Sequence, residues 1–269
     1  MPQAQIRQVK DFEIHSIISP NDSPLRGGPV GIKPQSKALD PKQVSDPDAS
    51  VEVFSTKKNK ILNSLILHGA GKAHSGRYEK LRLKLAENGF GKIIFDYPGH
   101  GQSSHNIGDS SLQIRTQVAQ FFLDELPSSD LTIFSFSMSG HVTLELLKKN
   151  LNSIQNLILF CPAIYSKEAF EINFGPEFSQ VIRQPESWKN HDLKTPLENF
   201  QGKLLIVIGE NDEVIPREVV QTIYDLAVNT SKKEILELPN VSHLIGNWLN
   251  EKPENVDWMV RKVVEFVND

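Results

Sequence analysis

Ser137, His243 and one acid among Glu210, Asp212 and Glu213 are the residues of this 269-residue chain whose types and order suit nucleophilic catalysis. A serine hydroxyl is a weak nucleophile unless a base takes its proton, and that base needs an acid to orient it. Ser137 lies in Ser135-Phe136-Ser137-Met138-Ser139-Gly140, between the apolar run LTIFSF (131–136) and the helical pattern HVTLELLKKN (141–150). The form is small-x-Ser-x-small at a strand-to-helix junction. A serine on such a sharp turn projects its hydroxyl above the sheet edge, and small neighbours let the backbone close around it. Glycine is usual at both small positions, so Ser135 and Ser139 are a departure. The helix N-terminus behind the serine favours a developing anion, and Lys148 and Lys149 suit the other end of its dipole. The three acids follow the apolar run KLLIVIG (203–209), and His243 follows EILEL (234–238) through Pro239-Asn240-Val241-Ser242. A serine, an acid and a histidine therefore follow three different strands.

The rest of the chain supplies the elements that must position them. DFEIHSII (11–18), VEVFS (51–55), ILNSLIL (61–67), KIIFDY (92–97) and NLILFC (156–161) also read as strands. Helices are predicted over RYEKLRLKLAENG, with Gly89 at its C-cap, over 111–126 with Ile114, Val118, Phe121 and Phe122 on one face, and around 217–228 and 254–267. Strands alternating with helices require crossover connections and a mostly parallel sheet. Near-continuous apolar strands mean that both sheet faces are covered. Such sheets carry ligands at the carboxyl ends of their strands, where the candidate residues fall. Residues 19–50 hold six prolines and three glycines and cannot form a long regular element. They are expected to be a surface loop or a flexible arm.

Four segments together resemble the α/β-hydrolase superfamily over about residues 51–269. They are Leu67-His68-Gly69-Ala70-Gly71; Phe95-Asp96-Tyr97-Pro98-Gly99-His100-Gly101-Gln102-Ser103; the Ser137 turn; and Gly209-Glu210-Asn211-Asp212-Glu213-Val214-Ile215-Pro216 with Ser242-His243. The D-x-x-G-H-G-x-S segment is similar to that of esterases, thioesterases and monoacylglycerol-lipase-like members. The chain order serine, acid, histidine is the one that this resemblance implies. Position by position, it makes Asp212 the acid and His243 the base. It also implies an oxyanion hole built from the backbone N–H groups of Met138 and Ala70, with Gly71 the close alternative to Ala70. In this family an insertion after the sixth strand covers the site. Residues 162–202 stand there, with Pro162, Pro176, Pro185 and Pro196 among Phe170, Phe174, Phe178, Trp188 and Phe200. A small cap of short helices is expected, its aromatics forming an apolar wall, anchoring the cap, or both. The expected organisation is an N-terminal strand and Pro/Gly-rich extended segment (1–50), then an α/β-hydrolase domain (51–269).

Other chemistries fit less well. A net charge of −4 lacks the basic surplus of a nucleic-acid binder. One cysteine, Cys161, excludes a disulfide within this sequence and cysteine-rich zinc sites, and none of the eight histidines forms an H-x-x-x-H pair beside an acid. Gly69-Ala70-Gly71-Lys72 is no phosphate loop, because Ile66 and Ala73 occupy the positions that need glycine and Ser or Thr. His100 and His141 read as structural, and Cys161 as packing. MPQAQIRQVKDFEIH lacks the apolar core of a signal peptide, and no apolar run approaches the ~20 residues that span a bilayer, so a cytoplasmic protein is expected. The expected activity is hydrolysis of a small carboxylic ester or thioester through an acyl-enzyme on Ser137, without a cofactor. Activity should rise with pH as His243 loses its proton. Acyl transfer or carbon–carbon hydrolysis by the same triad, and a non-catalytic binding protein on the same fold, are the alternatives.

Overall fold

The computed structural model describes residues 5–9, 12–16, 51–56, 62–101, 103, 105–126 and 129–269. The expectation for residues 19–50 lies outside the described residues. Nine strands form one sheet in the order β1-β2-β3-β5-β4-β6-β7-β8-β9. They are β1 (Gln5–Val9), β2 (Phe12–Ser16), β3 (Val51–Thr56), β4 (Leu62–Leu67), β5 (Gly91–Phe95), β6 (Leu131–Phe136), β7 (Ile154–Phe160), β8 (Lys203–Asn211) and β9 (Lys232–Ser242). From β5 across to β9 all neighbours are parallel, while β3 pairs antiparallel with β5. The strand expected over 11–18 is β2. The hairpin partner β1, paired antiparallel with it, was not anticipated.

Period-2 alternation explains how the parallel strands are buried on both faces. Leu65, Leu67, Ile133, Leu157, Leu159 and Ile206 enter one apolar core with helices α2 (Leu112–Asp124), α3 (Ser139–Asn150) and α6 (Arg217–Leu226). Their strand neighbours Ile66, Phe134, Ile158, Phe160, Leu205 and Val207 enter a second core with α1 (Glu79–Glu87), α7 (Ile245–Glu251) and α8 (Pro253–Asn268). This is the α/β-hydrolase fold, a mostly parallel sheet with helices on both faces. Among the described residues, no helix is long and apolar enough to cross a membrane.

Three local details differ from the expectations. Phe121 does not share the apolar face of α2; it is 46% exposed, because the buried row Ile114, Val118, Phe122 is set by a four-residue step. The C-terminal helix is preceded by α7, whose internal Gly246 weakens its helical signal. β9 runs on through Pro239 to Ser242. It is an edge strand, where a missing N–H costs no ladder bond, and Asn240, at φ 60°, bends it back toward the site.

The segment after β7, the sixth strand in the expected numbering, contains α4 (Pro176–Ile182), α5 (Lys194–Asn199) and two 3-10 turns. Pro176 occupies the first turn of α4, where its missing N–H is not needed. Phe178 and Phe200 are buried, and Phe170, Phe174 and Trp188 pack against the same core. These aromatics anchor the segment.

Candidate active site

Parallel strands bring their carboxyl ends to one edge, and the candidate residues follow from that. In the order β4-β6-β7-β8-β9, the residues leaving those ends are His68-Gly69-Ala70, Ser137, Cys161, Asp212 and His243. Neighbouring strands lie roughly 4.8 Å apart, so side chains from three or four strand ends can converge.

Ser137 sits between β6 and α3 with φ 52°, a left-handed conformation that a non-glycine residue adopts only under tertiary constraint. Backbone bonds hold it there: its N–H donates to the Phe160 carbonyl at 2.8 Å, and its carbonyl accepts from Gly140 at 2.8 Å and Ala163 at 3.0 Å. Gly140 is required, because a Cβ would stand 2.6 Å from the Pro162 Cβ. Ser139 is tolerated where glycine is usual because its Oγ donates to the His68 carbonyl at 2.5 Å, tying the elbow to the loop after β4. Ser135 fits within buried β6.

The serine, the histidine and one acid form a hydrogen-bonded chain. The Ser137 Oγ and His243 Nε2 are 2.9 Å apart, as are His243 Nδ1 and Asp212 Oδ2. The other carboxylate oxygen, Oδ1, accepts the N–H groups of Val214 at 2.9 Å and Ile215 at 3.0 Å. The Cys161 thiol lies against the same carboxylate. Burial alone raises the Asp212 pKa, but hydrogen bonds from His243, Cys161 and the Ile215 N–H outweigh it and hold the group at about 2. Glu210 instead accepts the Asn240 N–H at 2.8 Å, and Glu213 is exposed. Geometry thus selects Asp212 among the three acids.

Cys161 is 2% exposed, and burial pushes its thiol up, which suits packing rather than nucleophilic attack. Its sulfur, an Asp212 oxygen and a His243 nitrogen lie within 4.8 Å of one another. A metal held by these three would displace the Asp212–His243 hydrogen bond. His141 is buried, and its Nδ1 accepts the Tyr165 N–H at 3.2 Å, so it ties the cap segment to α3. His100 is also buried, with its Nδ1 against the Pro98 carbonyl at 3.2 Å and its Nε2 against Arg115 at 2.9 Å. In the same loop, Gly101 has φ 54°, and a Cβ there would overlap the Asp96 carboxylate. Asp96 in turn accepts the Ser75 N–H at 2.6 Å, which explains the D-x-x-G-H-G spacing. Arg115, whose guanidinium reaches this loop from α2, carried no signal in the sequence.

Ser137 and His243 open into a cavity of about 380 Å³. Tyr78, Phe136, Phe160, Tyr165, Ile182 and Ile215 make its walls apolar. The cap contributes Tyr165 and Ile182 to this wall, not the five aromatics singled out from the sequence. Ala70, Gly71 and Met138 lie along the rim of the serine. Among the described residues, the N–H groups of Ala70 and Met138 have no intramolecular acceptor.

Comparison with known proteins agrees with this fold. Residues 61–188 match the family model described as serine aminopeptidase, S33. Protein bem46 of Schizosaccharomyces pombe is 26% identical over 156 residues, covering 56% of this chain and 51% of that protein. The chain spans about half the length of the first curated relatives it matches. Among solved structures, the Paleococcus ferrophilus monoacylglycerol lipase superposes with a TM-score of 0.62 at 21% identity, covering 81% of this chain and 98% of the other. The thioesterase domain from the curacin biosynthetic pathway gives a TM-score of 0.57 at 15% identity, covering 82% and 96%. Such identities carry the fold and not the substrate. On its sheet order and these likenesses the chain has the α/β-hydrolase fold, and residues 61–188 are similar to the serine aminopeptidase, S33 family.

Proposed function

We propose that the protein is a serine hydrolase that cleaves a carboxylic ester or thioester through an acyl-enzyme on Ser137. The observation that carries this reading is the continuous chain from the Ser137 Oγ through His243 to Asp212, with both contacts at 2.9 Å. Asp212 accepts from Nδ1–H, which leaves the Nε2 lone pair for the serine proton. Ser137 attacks the carbonyl carbon as His243 takes that proton. The tetrahedral oxyanion is held by the backbone N–H groups of Met138 and Ala70. His243 then protonates the leaving alcohol or thiol, and water enters against the acyl-enzyme with the same imidazole as base. Each oxyanion donor is worth ~3 kcal/mol of barrier in related chemistry.

The cavity narrows the substrate class. Its volume of about 380 Å³ lies near the small end of ligand sites, which run roughly 300–1,000 Å³. Apolar walls with few polar groups suit a compact acyl or aryl group rather than a long chain. The names of the structural neighbours, a monoacylglycerol lipase and a thioesterase, accord with ester or thioester chemistry.

The test is labelling with a fluorophosphonate probe, read by intact mass and peptide mapping. One equivalent on Ser137, absent in Ser137→Ala, is the expected result. A folded protein that takes no label and turns over no p-nitrophenyl ester from C2 to C12 would overturn the reading and favour a binding protein on this fold.

A further inference from the structure

Arg115 on α2 is fully buried. Among the described residues, no carboxylate ion-pairs with it. A buried cation without a counter-charge is costly and calls for another explanation. Both terminal nitrogens of its guanidinium are engaged, one at the loop after β4 and one at the loop after β5, while Nε has no hydrogen-bond partner among the described residues. One terminal nitrogen donates to the Gly69 carbonyl at 3.3 Å, and the other donates to His100 Nε2 at 2.9 Å. The plane also lies over the Tyr97 ring at 4.5 Å and the Phe174 ring at 5.1 Å. His100 can accept only as a neutral imidazole, and burial together with Arg115 lowers its pKa to about 4. Burial lowers Arg115 itself to about 10, so it stays charged at neutral pH.

The Gly69 carbonyl receives a second donor. His68 contacts it through Nδ1 at 2.8 Å, while His68 Nε2 accepts the Tyr97 N–H at 3.1 Å. That second bond fixes the tautomer, so Nδ1 carries the hydrogen. Two donors therefore grip one carbonyl from the buried side. In a trans peptide the C=O and the following N–H point in opposite directions. Gripping the Gly69 carbonyl inward turns the Ala70 N–H outward, toward the rim where Ser137 stands. A charged donor on the carbonyl also polarises the peptide and strengthens its N–H as a donor.

We propose that Arg115 is a positioning residue for the oxyanion hole: it locks and polarises the Gly69–Ala70 peptide from behind, so that the Ala70 N–H is aimed at the oxyanion formed on Ser137. The inference rests on the serine-hydrolase reading. It separates Arg115 from a residue that merely fills the core, because aiming an oxyanion donor affects the transition state and not the resting complex.

The test compares wild type, Arg115→Met and Arg115→Lys on a short p-nitrophenyl ester, with inhibition by an alkyl trifluoromethyl ketone. The ketone adds to the serine and forms a stable oxyanion. Arg115→Met removes an unpaired buried cation for an apolar side chain of similar length, a change that cores often tolerate. Expected are a kcat lowered by about 10- to 100-fold, a KM within about threefold, and a ketone Ki raised by the same factor as kcat falls. Binding of the product carboxylic acid should be unchanged. Arg115→Lys keeps the charge but cannot reach two acceptors as a fork, so it should restore part of kcat. If Arg115→Met does not fold, as judged by circular dichroism, the same split between kcat and KM is read from Arg115→Lys against wild type. Equal losses in kcat/KM and product binding, or unchanged kcat and Ki in a folded variant, overturn the proposal while leaving the hydrolase reading intact. A wild type inert to ester and ketone overturns both.

Discussion

Replacing Asp212 with asparagine tests the site most sharply, because the structure dictates how the new amide must sit. The N–H groups of Val214 and Ile215 both point at Oδ1. The amide oxygen keeps those two bonds, so the NH2 group takes the place of Oδ2, 2.9 Å from His243 Nδ1. Nδ1 must then accept, and the ring hydrogen moves to Nε2. That nitrogen faces the Ser137 Oγ at 2.9 Å and no longer has a lone pair for its proton. The corresponding substitution in a serine-protease triad lowers kcat by ~10⁴. At about 1.36 kcal/mol per decade, that is ~5.4 kcal/mol of barrier. The assay is kcat/KM on a short p-nitrophenyl ester, paired with the rate of fluorophosphonate labelling, which should fall in parallel. Glu210→Gln is the control. Its carboxylate bonds the Asn240 N–H and not His243, so activity should stay within about twofold. Asp212→Asn retaining more than a tenth of wild-type activity, or Glu210→Gln losing as much as Asp212→Asn, would refute the assignment.

Three further outcomes follow. Asp212 is held at about 2 against an ordinary 3.8, and its side chain is 4% exposed. Because the folded value is the lower one, its stabilisation is complete above about pH 4 and lost as pH falls toward 2. The amount is on the order of 2 kcal/mol, seen as a steeper acid loss of urea stability in wild type than in Asp212→Asn. Gly140→Ala places a Cβ 2.6 Å from the Pro162 Cβ and 2.8 Å from its Cα, so it should destabilise by about 1–3 kcal/mol in urea unfolding and slow Ser137 labelling. Cys161, 2% exposed, should leave a colorimetric disulfide reagent unreacted in the folded protein and consume one equivalent once denatured; rapid native labelling would contradict its placement against Asp212.

Local pattern was enough for much of the fold. LTIFSF, NLILFC and KLLIVIG are runs in which both sheet faces must be apolar, and the structure sends alternate residues of each into two separate cores. The serine turn and the order of serine, acid and histidine were also legible, because the elbow needs small residues at fixed offsets and each partner directly follows a strand. Prolines in 162–202 foretold short helices, since proline ends a helix wherever it falls.

Other features have no local signature. Three acids lie within four residues at the end of β8, and their sequence spacing cannot say which reaches His243; the path of β9 beyond Pro239 and the N–H groups of Val214 and Ile215 decide it. The edge strand β1 and the short helix α7 are stabilised by what they pair with or pack on, more than by their own propensity. An arginine in an amphipathic helix reads as solvent-facing until the tertiary structure buries it beneath the Gly69 carbonyl, as Arg115 is. The sequence by itself determined the alternation of strands and helices and the residues able to do chemistry, because both are encoded in side chains close along the chain. Only the tertiary structure decided which acid contacts His243, which carbonyl Arg115 reaches and that His243 meets Ser137, because those contacts join residues 31 to 106 positions apart, whose meeting depends on the order of strands in the sheet.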